Sequence, residues 1–370
     1  MVFWHPRGYR TLRALEELIR RHAKGDGFGE VRTPQLLRQP IWEASGHWQH
    51  FREGMFVLGD DGLAVKPVSC PGHLELLRRR APSYRDLPLR YSELGLVHRS
   101  EPSGTLHGLF RLRQFTQDDG HIFCEVSQVE AEVARFCRSL LALYGALGFA
   151  NVELSFASRP DERAGSDAVW DRAESLLQSA AERAGLVVRH APKAGAFYGP
   201  KLEFALPDRL GRSWQCGTIQ LDLVLPKRFD VEFVTASGAR ARPLMLHRAT
   251  LGSLERFLGI MLEQHQGRLP AWLSPDQVAV LPVDAAQHAF AREVVDSLER
   301  QGLRAVIDER DESLGRRVAI AHEQAVPYVC VIGKREAAAR TVSLRHGDVQ
   351  RVLQLGALVA LLAEGCAAPW

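Results

Sequence analysis

The chain has 370 residues, of which 46% are apolar and 25% charged, and a net charge of +3. This is the composition of a globular protein long enough for two domains. It has no apolar run of about 18 residues to span a bilayer and no basic-then-apolar leader. Its six cysteines, Cys70, Cys124, Cys137, Cys216, Cys330 and Cys366, have no disulfide spacing. The expectation is a cytoplasmic protein with reduced thiols. So small a net charge neither requires nor excludes a nucleic-acid partner.

In chain order, Thr11–Ala23 places Leu12, Leu15, Leu18, Ile19 and His22 near one helical face. Gly27 and Gly29 end that helix, and Glu30–Leu37 reads as a strand around Thr33-Pro34. Tyr91–Cys124 holds a turn between strand-like runs. Residues two apart on a strand share a face. Arg99 with Glu101, and Arg113 with Phe115, therefore project together as cation, acceptor and aromatic plate. A bound nucleotide needs those three groups. Glu125–Leu147 and Asp167–Ala184 read as helices and Asn151–Phe156 as a short strand. Residues 196–235 read as an antiparallel sheet, and Arg248–Gln266 as a helix after a strand ending near His247.

The character changes at the Pro-containing linker Gly267–Asp276. Beyond it, strands Val278–Pro282, Leu303–Asp308, Tyr328–Ile332 and Thr341–Leu344 alternate with helices Ala285–Arg300, Ser313–Gln324 and Leu355–Ala363. That alternation predicts a small α/β domain with a mixed sheet. The expected fold is an α+β core built on an antiparallel sheet over residues 1–270, followed by an α/β domain over 276–370.

Six segments carry a resemblance that covers nearly the whole chain. They are KPVSCPGH (Lys66–His73), SYRDLPLR (Ser83–Arg90), the Tyr91–Cys124 stretch, AFYGPKLEF (Ala196–Phe204), GRSWQCGTIQLD (Gly211–Asp222) and LMLHRATLGSLERF (Leu244–Phe257). In wording and order they resemble the class II aminoacyl-tRNA synthetases, most closely the threonyl-tRNA synthetase family. The carboxy-terminal domain resembles the family's anticodon-binding domain. The opening helix and strand resemble motif 1, which in this class builds a homodimer interface; an ordinary core helix would give the same pattern.

The resemblance implies a role for each matching residue. Cys70, His121 and His247 match zinc ligands; a thiolate and two imidazoles suit Zn²⁺ and leave one position open. Buried thiol and ordinary histidines are the alternative. Gln117, Asp119 and Tyr198 match the amino-acid pocket. Asp118 should face away from it. Arg99 matches the fork that holds carboxylate and α-phosphate, Glu101 an acceptor for the adenine amino group, and Phe115 and Arg256 the two sides of an adenine stack. Arg113 matches a contact to the outer phosphates. Gln215 and Gln220 match polar groups near ribose and carboxylate, and Lys201 a positive charge near the reacting atoms. His47 matches a histidine thought to help deprotonate the terminal ribose of tRNA, for which an ordinary imidazole pKa is suited; beside Trp48 it also reads as structural. Asp311, Glu336 and Arg345 match anticodon-reading positions. Mg²⁺ is implied by ATP, with no acidic ligand singled out.

Some positions depart from the family pattern. KPMNCPGH is KPVSCPGH here, HRNE is His98-Arg99-Ser100-Glu101, and DDAH is Asp118-Asp119-Gly120-His121. LRNEKIG is Glu309–Gly315 with Asp311 at the Asn position, and the basic run after the fourth predicted strand is shortened to Arg345–Asp348. A carboxylate near phosphates weakens or retunes RNA binding. No counterpart of the family's amino-terminal editing region occurs in these residues; the expectation is a compact form without cis editing, or a chain whose start has been trimmed. The implied activity is ATP-dependent activation of L-threonine and its transfer to tRNA(Thr). The alternatives are a paralog that loads a carrier protein or small molecule, and a noncatalytic regulatory protein.

Overall fold

The computed structural model describes residues 1–59 and 62–370. The chain divides into two compact units, one of residues 16–260 with residues 1–2 and Trp370, the other of residues 3–15 and 261–369. No helix among the described residues is long and apolar enough to cross a membrane.

The first unit is organised by an eight-stranded sheet. From edge to edge its strands are Gly29–Glu30, Leu89–His98, Gln114–Cys124, Leu244–Ser253, Ser213–Asp222, Lys201–Pro207, Glu153–Ala157 and Arg189–Ala191. The two outermost pairs are parallel and all inner pairs antiparallel. Directly opposed residues share a face, so register decides which side chains meet. The register places Glu93 opposite Asp119, His121 opposite His247, and His247 opposite Gln220, which itself faces Lys201. One sheet face therefore carries Phe115, Gln117, Asp119, His121, His247, Gln220 and Lys201. Against the other face pack helices Val129–Ala146 and Asp167–Arg183; a Cβ on Gly217 would lie 2.5 Å from Leu140.

Three elements differ from expectation. Glu30–Leu37 is not one strand. Gly29–Glu30 joins the large sheet and Leu36–Arg38 a separate three-stranded one. Between them Thr33 gives its N–H to the Glu93 carboxylate at 2.9 Å, and Pro34 has none to give to a ladder. Second, the strand containing His247 does not stop there. It runs to Ser253, and the helix begins at Leu254, where the Ser253 hydroxyl accepts the N–H of Arg256 at 3.2 Å. Third, residues after Leu344 form a hairpin. Thr341–His346 pairs with Val349–Gln354 around Gly347, whose φ is 55°.

The second unit has a five-stranded sheet in the order Ala305–Ile307, Val278–Pro282, Tyr328–Ile332, Thr341–His346, Val349–Gln354. The first three strands are parallel and the rest antiparallel. Val278, Val280, Cys330 and Ile332 bury one face together with Phe290, Val294, Leu358 and Leu362 from two helices. Ala279, Leu281, Val329 and Val331 alternate with them and bury the other face with Ala321 and Val326. Buried on both faces, these strands read as continuous apolar runs.

Candidate active site

Cys70, His121 and His247 are all buried, and their ligand atoms lie within 4.8 Å of one another. Cys70 opens the helix Cys70–Arg80, while the two histidines sit opposite each other on neighbouring strands. His247 Nε2 lies 2.9 Å from Asp222, a carboxylate that also accepts the N–H groups of Val224 and Leu225. Asp222 is thus an acceptor throughout, so His247 holds its proton on Nε2 and presents a bare Nδ1. That Nδ1 faces His121 Nε2 at 3.1 Å, close to the roughly 3.3 Å edge of a tetrahedron with metal–nitrogen bonds of about 2.0–2.1 Å. Burial and neighbouring His73 hold His121 well below the ordinary histidine pKa, so it is a neutral donor of electron pairs. Burial, with Asp119 and Asp222 nearby, pushes the Cys70 thiol well up; a bound dication reverses that, since a coordinating thiol is deprotonated. The donor set fits a single Zn²⁺.

The amino-acid pocket residues gather beside this cluster. Tyr198 stacks on the His247 ring at 4.6 Å and donates its hydroxyl to Gln220 at 2.9 Å. Its turn depends on Gly199, where a Cβ would meet the Leu221 carbonyl. Asp119 accepts from the Ser69 N–H at 3.3 Å and has its other oxygen 3.9 Å from His121. Gln117 is half-buried on the same face. Lys201 pairs with Glu203 at 2.6 Å. Gln215 reaches this face by a device the sequence hides. The ladder between Ser213–Asp222 and Lys201–Pro207 skips Cys216, so Gln215 and Gly217 pair with successive residues Ala205 and Phe204. The bulge returns Gln215 to the side of Gln220.

The phosphate-fork residues sit differently from their strand-based expectation. The strand ends at His98, so Arg99 and Glu101 lie in the following loop, where Glu101 N–H bonds to the Arg99 carbonyl. Arg99 is held nonetheless. Its Nε donates to the Pro67 carbonyl at 3.2 Å and its guanidinium lies 5.2 Å over the Phe115 ring. Burial lowers its pKa. Glu101 pairs with Arg111 at 2.8 Å, and Arg113 donates to the Glu101 carbonyl and the Ser103 hydroxyl. Arg256 bonds to the carbonyls of Phe110 and Gln215.

His47 is buried and packed against Phe197. Ser45 gives its hydroxyl proton to Trp42, so its oxygen accepts from His47 Nδ1 at 2.8 Å, which leaves Nε2 as the bare nitrogen. The ordinary pKa assumed from sequence does not hold. Burial above all, with His247 and the Arg99 guanidinium nearby, pushes it down to about 3. Between that value and about 6.5 the unfolded chain binds a proton at His47 that the folded chain does not. Stability is therefore full above about pH 6.5 and falls as pH drops toward 3. Urea unfolding should show a loss of about 2 kcal/mol from this group between pH 7 and pH 5, absent in His47→Gln. An equal slope in both proteins would refute it.

Asp118 points to the opposite face, as expected, and does more than turn away. Its carboxylate accepts the N–H groups of Thr250, Leu251 and Gly252, and it pairs with buried Arg248. Gly252 has φ 70°, and this cap shapes the end of the strand carrying His247. Burial pushes the Asp118 pKa up to about 6 against the pull of Arg248 and those donors. Sequence reasoning also missed Lys66, His73, Glu93 and Asp222. All stand inside the recognised segments, but nothing in their spacing marks them as partners.

In the second unit, Asp311 is exposed, Glu336 accepts the Gly333 N–H at 3.0 Å as a helix cap, and Arg345 pairs across the hairpin with Gln350.

Comparison with known proteins gives the following. Residues 57–265 match the tRNA synthetase class II core domain (G, H, P, S and T), and residues 277–364 match the anticodon binding domain. A threonine–tRNA ligase of Gluconacetobacter diazotrophicus is 50% identical over 370 residues, 98% of this chain and 58% of that protein. One of Cupriavidus necator is 47% identical over 371 residues, 99% of this chain and 58% of its own. The chain thus spans a little over half the length of these curated relatives. A crystal structure described as the RNA binding domain of threonyl-tRNA synthetase from Cryptosporidium parvum superposes with a TM-score of 0.94 at 38% identity, covering 98% of this chain and 92% of that one. Matching at that identity over nearly all of both chains, with a class II core over more than half of it, this chain belongs to the threonyl-tRNA synthetase family of class II aminoacyl-tRNA synthetases.

Proposed function

We propose that the chain activates L-threonine with ATP and Mg²⁺ and transfers it to tRNA(Thr), as a cytoplasmic homodimer joined through its motif 1-like region. The observation that carries this reading is the convergence of Arg99, Asp119, Gln220 and the Cys70, His121, His247 cluster around one sheet face. Cys70, His121 and His247 would hold Zn²⁺, which when bound supplies an open Lewis-acidic position for the amino group and β-hydroxyl of threonine. Asp119 accepts the hydroxyl proton. Gln117 and Tyr198 wall the pocket. Arg99, fixed by Pro67 and Phe115, turns its remaining guanidinium nitrogens on the carboxylate and the α-phosphate, where charge builds during attack. Phe115 and Arg256 sandwich adenine, Glu101 accepts from its amino group, and Arg113 meets the outer phosphates. Gln215, Gln220 and Lys201 orient ribose and carboxylate. His47 offers Nε2 as an acceptor to the ribose hydroxyl. ATP–pyrophosphate exchange dependent on threonine, followed by charging of purified tRNA, tests the reading. Absence of exchange overturns it.

Metal analysis should find about one zinc per chain, and Cys70→Ala should lose it. Unchanged zinc in that variant would refute the ligand set.

A second reading changes only the acceptor, from tRNA to a carrier protein or small molecule. It is favoured by two departures in the second unit: Asp311 stands where the family pattern has Asn, and the basic run is shortened to Arg345–Asp348, among the proposed anticodon-reading positions Asp311, Glu336 and Arg345. On the tRNA reading, Asp311→Asn should raise charging of some threonine isoacceptors and leave pyrophosphate exchange unchanged. Equal effects on both reactions would assign Asp311 to folding instead.

A further inference from the structure

From His121 Nδ1, the nitrogen opposite the one that meets His247, runs a buried chain of polar groups that the proposed chemistry does not use. His121 Nδ1 lies 2.7 Å from His73 Nδ1, and His73 Nε2 lies 3.1 Å from Glu93 Oε2. Glu93 also accepts the N–H of Thr33 at 2.9 Å, the Thr33 hydroxyl at 2.8 Å and the ammonium of Lys66 at 2.9 Å. Lys66 gives a second hydrogen to the Thr33 oxygen at 3.0 Å. Lys66 and His73 are 0% exposed and Glu93 is 3% exposed. A lysine and a glutamate so deeply buried are costly to place unless their charges and hydrogen bonds are satisfied by one another.

We propose that Lys66, Glu93 and His73 are positioning residues that fix which nitrogen of His121 carries its proton, and so keep Nε2 available to the metal. Every contact of Glu93 is with a donor, and Lys66 balances its charge. Glu93 therefore draws the His73 proton to Nε2. That leaves His73 Nδ1 an acceptor, which takes the Nδ1 proton of His121. His121 Nε2 is then bare and faces His247 Nδ1. With the opposite arrangement, His121 would carry its proton on Nε2, where it blocks ligation. Asp222 does the same for His247 in one step. For His121 the carboxylate acts at one remove, through a second imidazole. Tyr91 packs edge-on against the His73 ring, with ring centroids 6.1 Å apart. The inference rests on the ligand set proposed above. Partners of this kind, when removed, cost about 10–100-fold in metal affinity.

The test is Zn²⁺ affinity by competition with a chelator of known strength, with the Co²⁺ absorption spectrum as a report on coordination, both at one fixed pH. Wild-type protein should bind one Zn²⁺ per chain; failure there removes the ligand set itself. His73→Leu should bind about 10–100-fold more weakly. His73→Asn, whose side-chain oxygen can accept the His121 Nδ1 proton, should recover most of the loss. Should His73→Leu not fold, Lys66→Met combined with Glu93→Leu removes both buried charges together and frees the His73 proton; it should weaken binding about tenfold. Wild-type affinity in His73→Leu or in the double variant overturns the inference. So does His73→Asn binding no better than His73→Leu, because packing alone would then explain the loss.

Discussion

Valine should be activated at least about 10⁴-fold less efficiently than threonine in kcat/KM, whereas serine should fall only about 10–200-fold below it. Valine nearly matches threonine in shape but brings no hydroxyl. In the proposed pocket the Asp119 carboxylate is buried, with the Ser69 N–H as its backbone donor. A bound valine would leave that acceptor and the metal position unmatched, and unpaired buried polar groups are the strongest source of rejection. Serine keeps the hydroxyl and loses one methyl, which is worth only about 1–3 kcal/mol. Pyrophosphate exchange with the three amino acids measures both ratios. Valine activated as well as serine would mean that the hydroxyl is not being read.

Arg99→Ala should lower kcat for threonine-dependent pyrophosphate exchange by about 10²–10³, with thermal unfolding nearly unchanged. The guanidinium spends one nitrogen on Pro67 and stacks on Phe115, and its own burial already lowers its pKa. A half-buried cation fixed in place before substrate arrives needs little reorganisation when charge develops on the α-phosphate. Arg99→Lys should recover little, because an ammonium cannot contact carboxylate and phosphate as a planar fork. A loss confined to KM in Arg99→Ala would make it a binding residue only.

The period-two spacing of Phe115, Gln117, Asp119 and His121 was legible because a strand turns alternate residues to one face, and the same rule sent Asp118 to the other. The apolar runs of the second unit were legible because both faces of those strands are buried. Three kinds of information were not. The strand through Arg248 and Thr250 looked helical because these polar residues are buried by partners, Asp118 above all, that lie far away in sequence. The Val349–Gln354 strand is exposed along most of its length, so it has no alternation to read. The Cys216 bulge is a fact of register, and a single sequence carries no register. Lys66, Glu93 and His73 were likewise invisible as a unit. Their residue types suggest surface or ligand roles, and only packing shows that they satisfy one another.

The proposed metal ligands come from a helix start near residue 70 and from two central strands near residues 121 and 247. Such contacts between distant parts of a chain are slow to form, because loop closure must precede any gain from them. During synthesis the cluster stays incomplete until His247 has left the ribosome, long after Cys70 has emerged. A nascent chain will therefore pass through a period in which a thiol and one imidazole are present without their partner. If the proposed ligands bind zinc, its retention in a pulse-labelled preparation would time the closing of the central sheet, and mutations that delay the Leu244–Ser253 strand would show first as late metal capture.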